Sequence, residues 1–180
     1  MKLTEKIAAR LRGEEPTEKL VRKGLVVGRH FRRGRAVTID SAHCWLIRIG
    51  DDVSLGDHTH ILAHDATPQI SHGLTRIAPV VIGDRVSVGM RTLIMPGVTI
   101  GDDAVILPGS IVTRDIPAGT VWGGTPARKE GETARMVEEA GQGLDSTPVF
   151  SAAEEAAFSP ARKQEVFRQL LESGKGYVRV

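Results

Sequence analysis

The sequence predicts an all-β solenoid: a parallel β-helix with a short N-terminal helical segment and a longer C-terminal helical extension. Three observations carry that prediction. From Ile82 onward an aliphatic residue falls on every sixth position, at Ile82, Val88, Ile94, Ile100, Ile106 and Val112. The residue four places later in each block is smaller or branched, at Val86, Thr92, Val98, Ala104 and Ser110, with the larger Ile116 last. A period of six fits neither the helical period of about 3.6 nor the strand period of about 2, so the repeat is read before any local propensity. Second, the 180 residues include 20 glycines and only 4% aromatics, which suits a core of closely stacked small and β-branched side chains. Third, after Pro126 the composition changes to helix formers.

Taken in order, residues 1–24 read as the N-terminal helical segment. Thr4 caps a short helix carrying Ile7, Ala8 and Leu11 and ending at Gly13, and Pro16 and Thr17 precede a second turn, EKLVRKG. Residues 25–128 form the β-helix. The six-residue beat is loose at first, through Leu25, Phe31, Val37, His43, Ile49, Leu55 and Ile61, with Arg29 and Arg35 at the fourth-following places. From Ile49 it is firm: IGDDVS, LGDHTH, ILAHDA. The register then breaks. The interval from Ile61 to Ile82 is three places longer than three blocks, and the segment ATPQISHGLTRIAPV between them holds two prolines and a glycine. A loop at about residues 66–80, thrown out of the regular body, accounts for the break, and such loops often carry function.

Residues 129–180 form the C-terminal helical extension. ETARMVEEA is its first helix, Ser151 and Glu154 make a capping box for SAAEEAAF, and Ser159 with Pro160 opens ARKQEVFRQLLES, stopped at Gly174. Val166, Phe167, Leu170 and Leu171 share a face at helical spacing. The tail GYVRV is either a short strand or an unstructured end.

Six residues supply one short strand and one corner, and three blocks close a coil. Side chains alternate along a strand, so the leading aliphatic and the residue four later face the same side. Glycine and aspartate gather beside the corners because the backbone there includes conformations that β-carbons resist. Hydrogen bonds run between coils roughly 4.8 Å apart. Stability therefore accumulates along the axis, and the open sheet edges of the end coils need covering, a role the terminal helices can fill.

The totals exclude several classes. A net charge of +2 offers no global argument for nucleic acid. The local cluster Arg29, His30, Arg32, Arg33 and Arg35 reads either as a solvated basic face or as a grip on an anionic substrate group. No apolar run approaches the roughly 20 residues of a membrane span. The opening MKLTEKIAARLRGEE has no apolar core of a signal peptide. One cysteine, Cys44, excludes an internal disulfide and fits a reducing compartment, so the expected location is the cytoplasm.

The repeat and its C-terminal stretch, PGVTIGDDAVILPGSIVTRDIPAGTVWGGTPAR, resemble the hexapeptide-repeat acyltransferases of the left-handed parallel β-helix fold. The resemblance covers residues 37–128, and the left hand comes from it alone, since parallel crossovers are otherwise almost always right-handed. It implies a CoA-dependent acetyltransferase that draws on acetyl-CoA and works as a homotrimer with an active site in each groove between subunits. Members act on sugars, capsule or lipopolysaccharide units, amino acids and some antibiotics. The sequence shows no stretch resembling the long helical N-terminal domain of serine acetyltransferases or the N-terminal motif of the maltose and galactoside enzymes, so those groups are not the expected ones. A sugar-type acceptor from the cell envelope or a polysaccharide precursor is the remaining expectation.

Acyl transfer from a thioester needs a base near neutrality, and histidine is the usual one. HILAHDA resembles the family motif in which a histidine followed by aspartate is that base, so the resemblance makes His64 the catalytic residue, with Asp65 as its companion. Adjacent residues on a strand point to opposite sides, so a backbone carbonyl is as good a partner for the imidazole as Asp65. His60 and His72 are candidate acceptor contacts, while His58 and His60 read more readily as surface or trimer contacts. His43, at a leading place of the beat, reads as an inward structural histidine. Matching the family's CoA motifs position by position assigns Met90, Pro108, Thr113, Arg114 and Arg128 to the CoA site. Met90 and Pro108 are larger than the family's usual residues there, whereas Arg114 and Arg128 suit phosphates. Nothing in the sequence assigns Cys44 an activating base as an acyl carrier, and the resemblance implies direct transfer without a covalent intermediate. No metal is expected. Two other readings stay open: a carbonic-anhydrase-like metalloenzyme of the same fold, drawing on the histidines at 58, 60, 64 and 72, and a non-catalytic structural solenoid.

Overall fold

In this computed structural model the described residues are 14–142, 144 and 147–179. The chain divides into two compact units, Met1–Met136 and Val137–Val180. The helix expected between Thr4 and Gly13 lies outside the described residues.

The first unit is a parallel β-helix with three faces. The first face stacks Val26–Val27, Ile47–Ile49, Val80–Ile82 and Thr99–Ile100. The second stacks Arg32–Arg33, Ser54–Leu55, Ser87–Val88, Val105–Ile106 and Thr120–Gly124, and the third Thr38–Ile39, His60–Ile61, Leu93–Ile94 and Ile111–Val112. Val81 pairs with Thr99, Ser87 with Val105 and Leu93 with Ile111, each separated by one regular coil of three blocks. All six leading aliphatics from Ile82 to Val112 lie inside, none more than 3% exposed.

The fourth-following places are buried too, and this explains their small hydroxyls. Thr92 Oγ1 donates to Gly89 O at 2.8 Å and Ser110 Oγ to Leu107 O at 2.6 Å, each satisfying a corner carbonyl three residues back. A buried hydroxyl without such a partner would be costly. The corners are equally specific. Asp51 Oδ1 accepts from Arg29 N, Asp84 Oδ1 from Asp51 N and Asp102 Oδ1 from Asp84 N, a ladder of aspartates from coil to coil. Gly89 is required at the next corner along, where a Cβ would stand 2.5 Å from Pro108 N.

The first coil departs from the expected beat. Val27 pairs with Ile49, Arg33 with Leu55 and Ile39 with Ile61, so each pair is separated by four places more than a regular coil allows. The four extra residues sit between Ile39 and Ile47, where a 3₁₀ turn spans Cys44–Leu46. The leading places of this coil are therefore Val27, Arg33 and Ile39, and Phe31 and Val37 fall at fourth-following places. His43 is not at a leading place; it lies in the extra turn.

This shift also resolves the basic cluster. Arg33 turns inward and donates from Nη1 to Glu15 O at 2.8 Å and to Thr17 Oγ1 at 3.3 Å. Helix α1 (Thr17–Arg22), with Leu20 fully buried, thus seals the first coil. Arg29 pairs with Asp51, His30 with Asp52 and Arg35 with Asp57. Most of the cluster is spent inside the fold or on neighbouring carboxylates. At the other end the sheet edge is covered by a strand: Thr120–Gly124 turns back into Ala127–Glu132, which pairs with it antiparallel.

The break after Ile61 is larger than the beat suggests. Ile61 ends the third face and Ile82 lies on the first face of the next coil, so a single block has absorbed the whole excursion. The excursion braces itself. His64–Asp65 pairs antiparallel with Arg76–Ile77, helix α2 (Gln69–His72) sits between them, and Gly73 ends it at φ 65°.

The second unit, Val137–Val180, holds a two-stranded parallel sheet and two helices among its described residues, beyond the end of a helix that enters it. Helix α3 (Thr133–Gly141) leads into it, and the strand Val149–Ser151 pairs parallel with Tyr177–Arg179. Helix α4 (Ala152–Ala156) carries the capping box of Ser151 and Glu154, and α5 (Pro160–Ser173) is capped by Ser159 and stopped at Gly174. Phe150 and Phe158 meet edge to face at 5.3 Å beside a cavity of about 290 Å³. Among the described residues no helix is long and apolar enough to cross a membrane.

Candidate active site

Two irregularities stack at one corner of the β-helix. The extra turn after Ile39 and the loop after Ile61 both leave from the end of the third face, in successive coils. Asp40 N donates to Ile61 O at 2.9 Å and Leu62 N to Ile94 O at 3.0 Å, the last regular rungs before each departure. Ala63 N then donates to Asp40 Oδ2 at 3.0 Å. This brings the next side chain, His64, onto Asp40.

Asp40 is the anchor. Its side chain is only 1% exposed, and Oδ2 receives His64 Nδ1 as well as Ala63 N. Oδ1 accepts from Ala42 N at 3.1 Å and His43 N at 3.0 Å. Burial pushes the carboxyl upward, but the hydrogen bond from His64 and the N–H groups of Ala63 and His43 outweigh it and hold Asp40 below the usual carboxylate range. An ionised carboxylate only accepts, so Nδ1 of His64 must donate. The neutral imidazole then carries its lone pair on Nε2, on a side chain 36% exposed. That is the tautomer a general base requires.

His43 joins this pair. Its ring lies 5.1 Å from that of His64, tilted by 46°, and its Nδ1 is 3.8 Å from Asp40 Oδ1. That nitrogen is buried and has no hydrogen-bond partner. The expected inward structural histidine is therefore corrected: His43 lies in the extra turn, off the leading place, with one ring nitrogen unpaired. Asp40, His43 and His64 are also the one group among the described residues whose donor atoms, all within 4.8 Å of one another, could hold a metal ion.

The other candidates spread out. Asp65 does not orient His64: Asp65 Oδ1 accepts from Thr67 N at 2.9 Å and shapes the loop. His60 is exposed on the third face and His72 is exposed at the end of α2. Thr113 and Arg114 follow Val112, whose carbonyl accepts from Met95 N, and so lie on the same edge as His64, further along the axis. Met90 and Pro108 occupy the corner between the second and third faces, stacked through Gly109 N to Met90 O at 2.8 Å. Arg128 stands opposite Gly123 on the returning strand of the second face. Cys44 is buried and its Sγ faces Leu20 O at 3.6 Å.

Asp40 is the residue that sequence reading missed. The available signal was the spacing itself: matching Val27, Arg33 and Ile39 to Ile49, Leu55 and Ile61 exposes the extra turn that begins at Asp40.

Comparison with known proteins agrees with this architecture. Residues 79–114 match the model of the bacterial transferase hexapeptide (six repeats). The chain is 36% identical over 105 residues to the galactoside O-acetyltransferase of Escherichia coli (strain K12), covering 57% of this chain and 51% of that protein. Among solved structures, a maltose O-acetyltransferase from Clostridium difficile 630 is 30% identical with a TM-score of 0.53, covering 71% of this chain and 83% of that one. A hexapeptide-repeat acetyltransferase from Vibrio cholerae, complexed with acetyl coenzyme A, is 32% identical with a TM-score of 0.57, over 62% of this chain and 61% of that one. The chain spans about half the length of the curated relatives it matches. Repeat, fold and these relatives together lead to one conclusion: the chain belongs to the hexapeptide-repeat acyltransferase family.

Proposed function

We propose that the protein transfers the acetyl group of acetyl-CoA directly to a hydroxyl or amine of a sugar-type acceptor, with His64 as general base. The observation that carries this reading is the Asp40–His64 pair, which leaves Nε2 of a partly exposed imidazole free to accept a proton. His64 takes the acceptor's proton as its oxygen or nitrogen attacks the thioester carbonyl. The tetrahedral intermediate then expels the CoA sulfur, which receives that proton back from the imidazolium. Asp40 holds the ring in position and offsets its transient positive charge. Galactoside and maltose O-acetyltransferases among the relatives support the sugar class of acceptor.

The same reading includes a left-handed coil and a homotrimer. Thr113 and Arg114 share the His64 edge, while Met90, Pro108 and Arg128 lie on another part of the surface. Residues so divided on one chain line a single groove when the edge of one subunit meets the face of the next. Arg114 and Arg128 then serve the phosphates of CoA.

The test is a panel of sugars and nucleotide sugars incubated with acetyl-CoA, with release of free thiol followed for wild type and His64→Ala. The variant is expected to lose about 10² to 10⁴ in turnover while still binding CoA. Turnover close to wild type would refute the assignment of the base.

A further inference from the structure

We infer that Asp40, His43 and His64 form a binding site for one divalent cation of the zinc class, and that its occupation silences the base. The binding does not depend on the acyl-transfer reading; the silencing rests on it.

The donor set is the first argument. Two imidazoles and one carboxylate make a ligand combination that zinc takes in open sites, where a fourth position is left to water. Ligands about 2.0–2.2 Å from a tetrahedral ion stand roughly 3.4 Å from one another. Here Asp40 Oδ1 and His43 Nδ1 are 3.8 Å apart and all the donor atoms lie within 4.8 Å. Closing the set takes side-chain adjustments on the order of 1 Å.

Each donor is also placed to bind. Ala42 N, His43 N and Ala63 N donate to the Asp40 carboxylate and keep it in place, as outer partners commonly do for a ligating group. His43 Nδ1 is buried without a hydrogen bond, so coordination breaks no bond of that atom and satisfies an otherwise unpaired one. His64 is 36% exposed and leaves a path for the ion and for water at the open position.

The consequence for His64 follows from proton placement. Coordination through Nδ1 replaces the proton donated to Asp40, and the neutral ring keeps that proton on Nε2 instead. No proton is lost overall, but Nε2 is now a donor and cannot accept one from an attacking hydroxyl. The ion therefore blocks the step that Asp40 alone promotes.

The experiment uses the full chain after chelator treatment. Zn²⁺, with Mg²⁺ as a hard-cation control, is titrated by calorimetry, and Co²⁺ by visible absorption. One saturable zinc site per chain and tetrahedral cobalt bands are expected. His43→Ala should weaken zinc at least about tenfold and abolish the bands, whereas His72→Ala should leave both as they are. His43→Gln serves as a second variant where alanine disturbs folding. Absence of a saturable site, or zinc affinity indifferent to both His43 variants, would overturn the inference.

Silencing is read on acetylated product, because released CoA thiol itself binds zinc. The ratio of rates with and without zinc should fall well below one for wild type, recover with chelator and move toward one in His43→Ala. Zinc-saturated protein working at full rate would overturn the silencing. A metal-free protein that acetylates none of the acceptors would refute the acyl-transfer reading, and the zinc titration would still decide the site.

Discussion

At the scale of single residues, the structure turns on what Asp40 can and cannot do. As a carboxylate it only accepts, and that fixes which nitrogen of His64 is bare. Asp40→Asn keeps the shape but brings an amide able to donate to Nδ1, which favours the opposite tautomer. We expect Asp40→Asn to lower turnover by a factor approaching that of His64→Ala, with CoA binding little changed; equal turnover would refute the positioning role. Acid stability supplies an independent reading. The folded carboxyl sits below its unfolded range, so its contribution is complete above an unfolded value of about 3.9 and is lost as pH falls through the folded value. Wild type should therefore lose more stability than Asp40→Asn between neutrality and strong acid, as measured by urea unfolding at a series of pH values.

Strands and corners obey packing rules that the repeat makes unusually uniform. Ile94 is fully buried in the third face between Ile61 and Val112, so Ile94→Ala should cost about 2–5 kcal/mol, visible in a urea or thermal transition. A corner behaves differently. At Gly89 an added Cβ would meet backbone at 2.5 Å, and backbone cannot swing aside as a flexible side chain can. Gly89→Ala should therefore destabilise by about 1–3 kcal/mol although it adds one methyl group. Periodicity revealed both of these positions from Ile82 onward because every block repeats the same local demands. Before Ile49 the same counting failed. Four residues added after Ile39 moved Arg33 into a leading place and His43 out of one, and a strict six-residue count had no place for the insertion. The loop was legible as a break, but its size was not, since the interval from Ile61 to Ile82 fits three blocks and a remainder as readily as one enlarged block.

For the whole molecule, the distribution of candidate residues over two parts of the β-helix surface makes the trimer testable by mixing. His64→Ala chains combined with Arg128→Ala chains, dissociated and reassembled together, should regain activity above either parent if one groove draws on two subunits. Activity no higher than that of the separate variants would place both residues in one chain's site. Arg114→Ala, on the same edge as His64, should weaken acetyl-CoA binding, read as a rise in the dissociation constant.

The sequence by itself determined the solenoid, its inward residues from Ile49 on, the caps at Ser151 and Ser159, and the histidine at the edge of the break. Each of those is encoded in a handful of neighbouring residues, where period, cap chemistry and turn preference act locally. The tertiary structure alone decided that Asp40, distant from His64 along the chain, is the carboxylate on its ring, and that His43 stands beside them. The reason is stacking: coil-to-coil register brings these residues together, and an insertion of four residues in one coil sets that register. Asp65, adjacent in sequence, points into the loop instead.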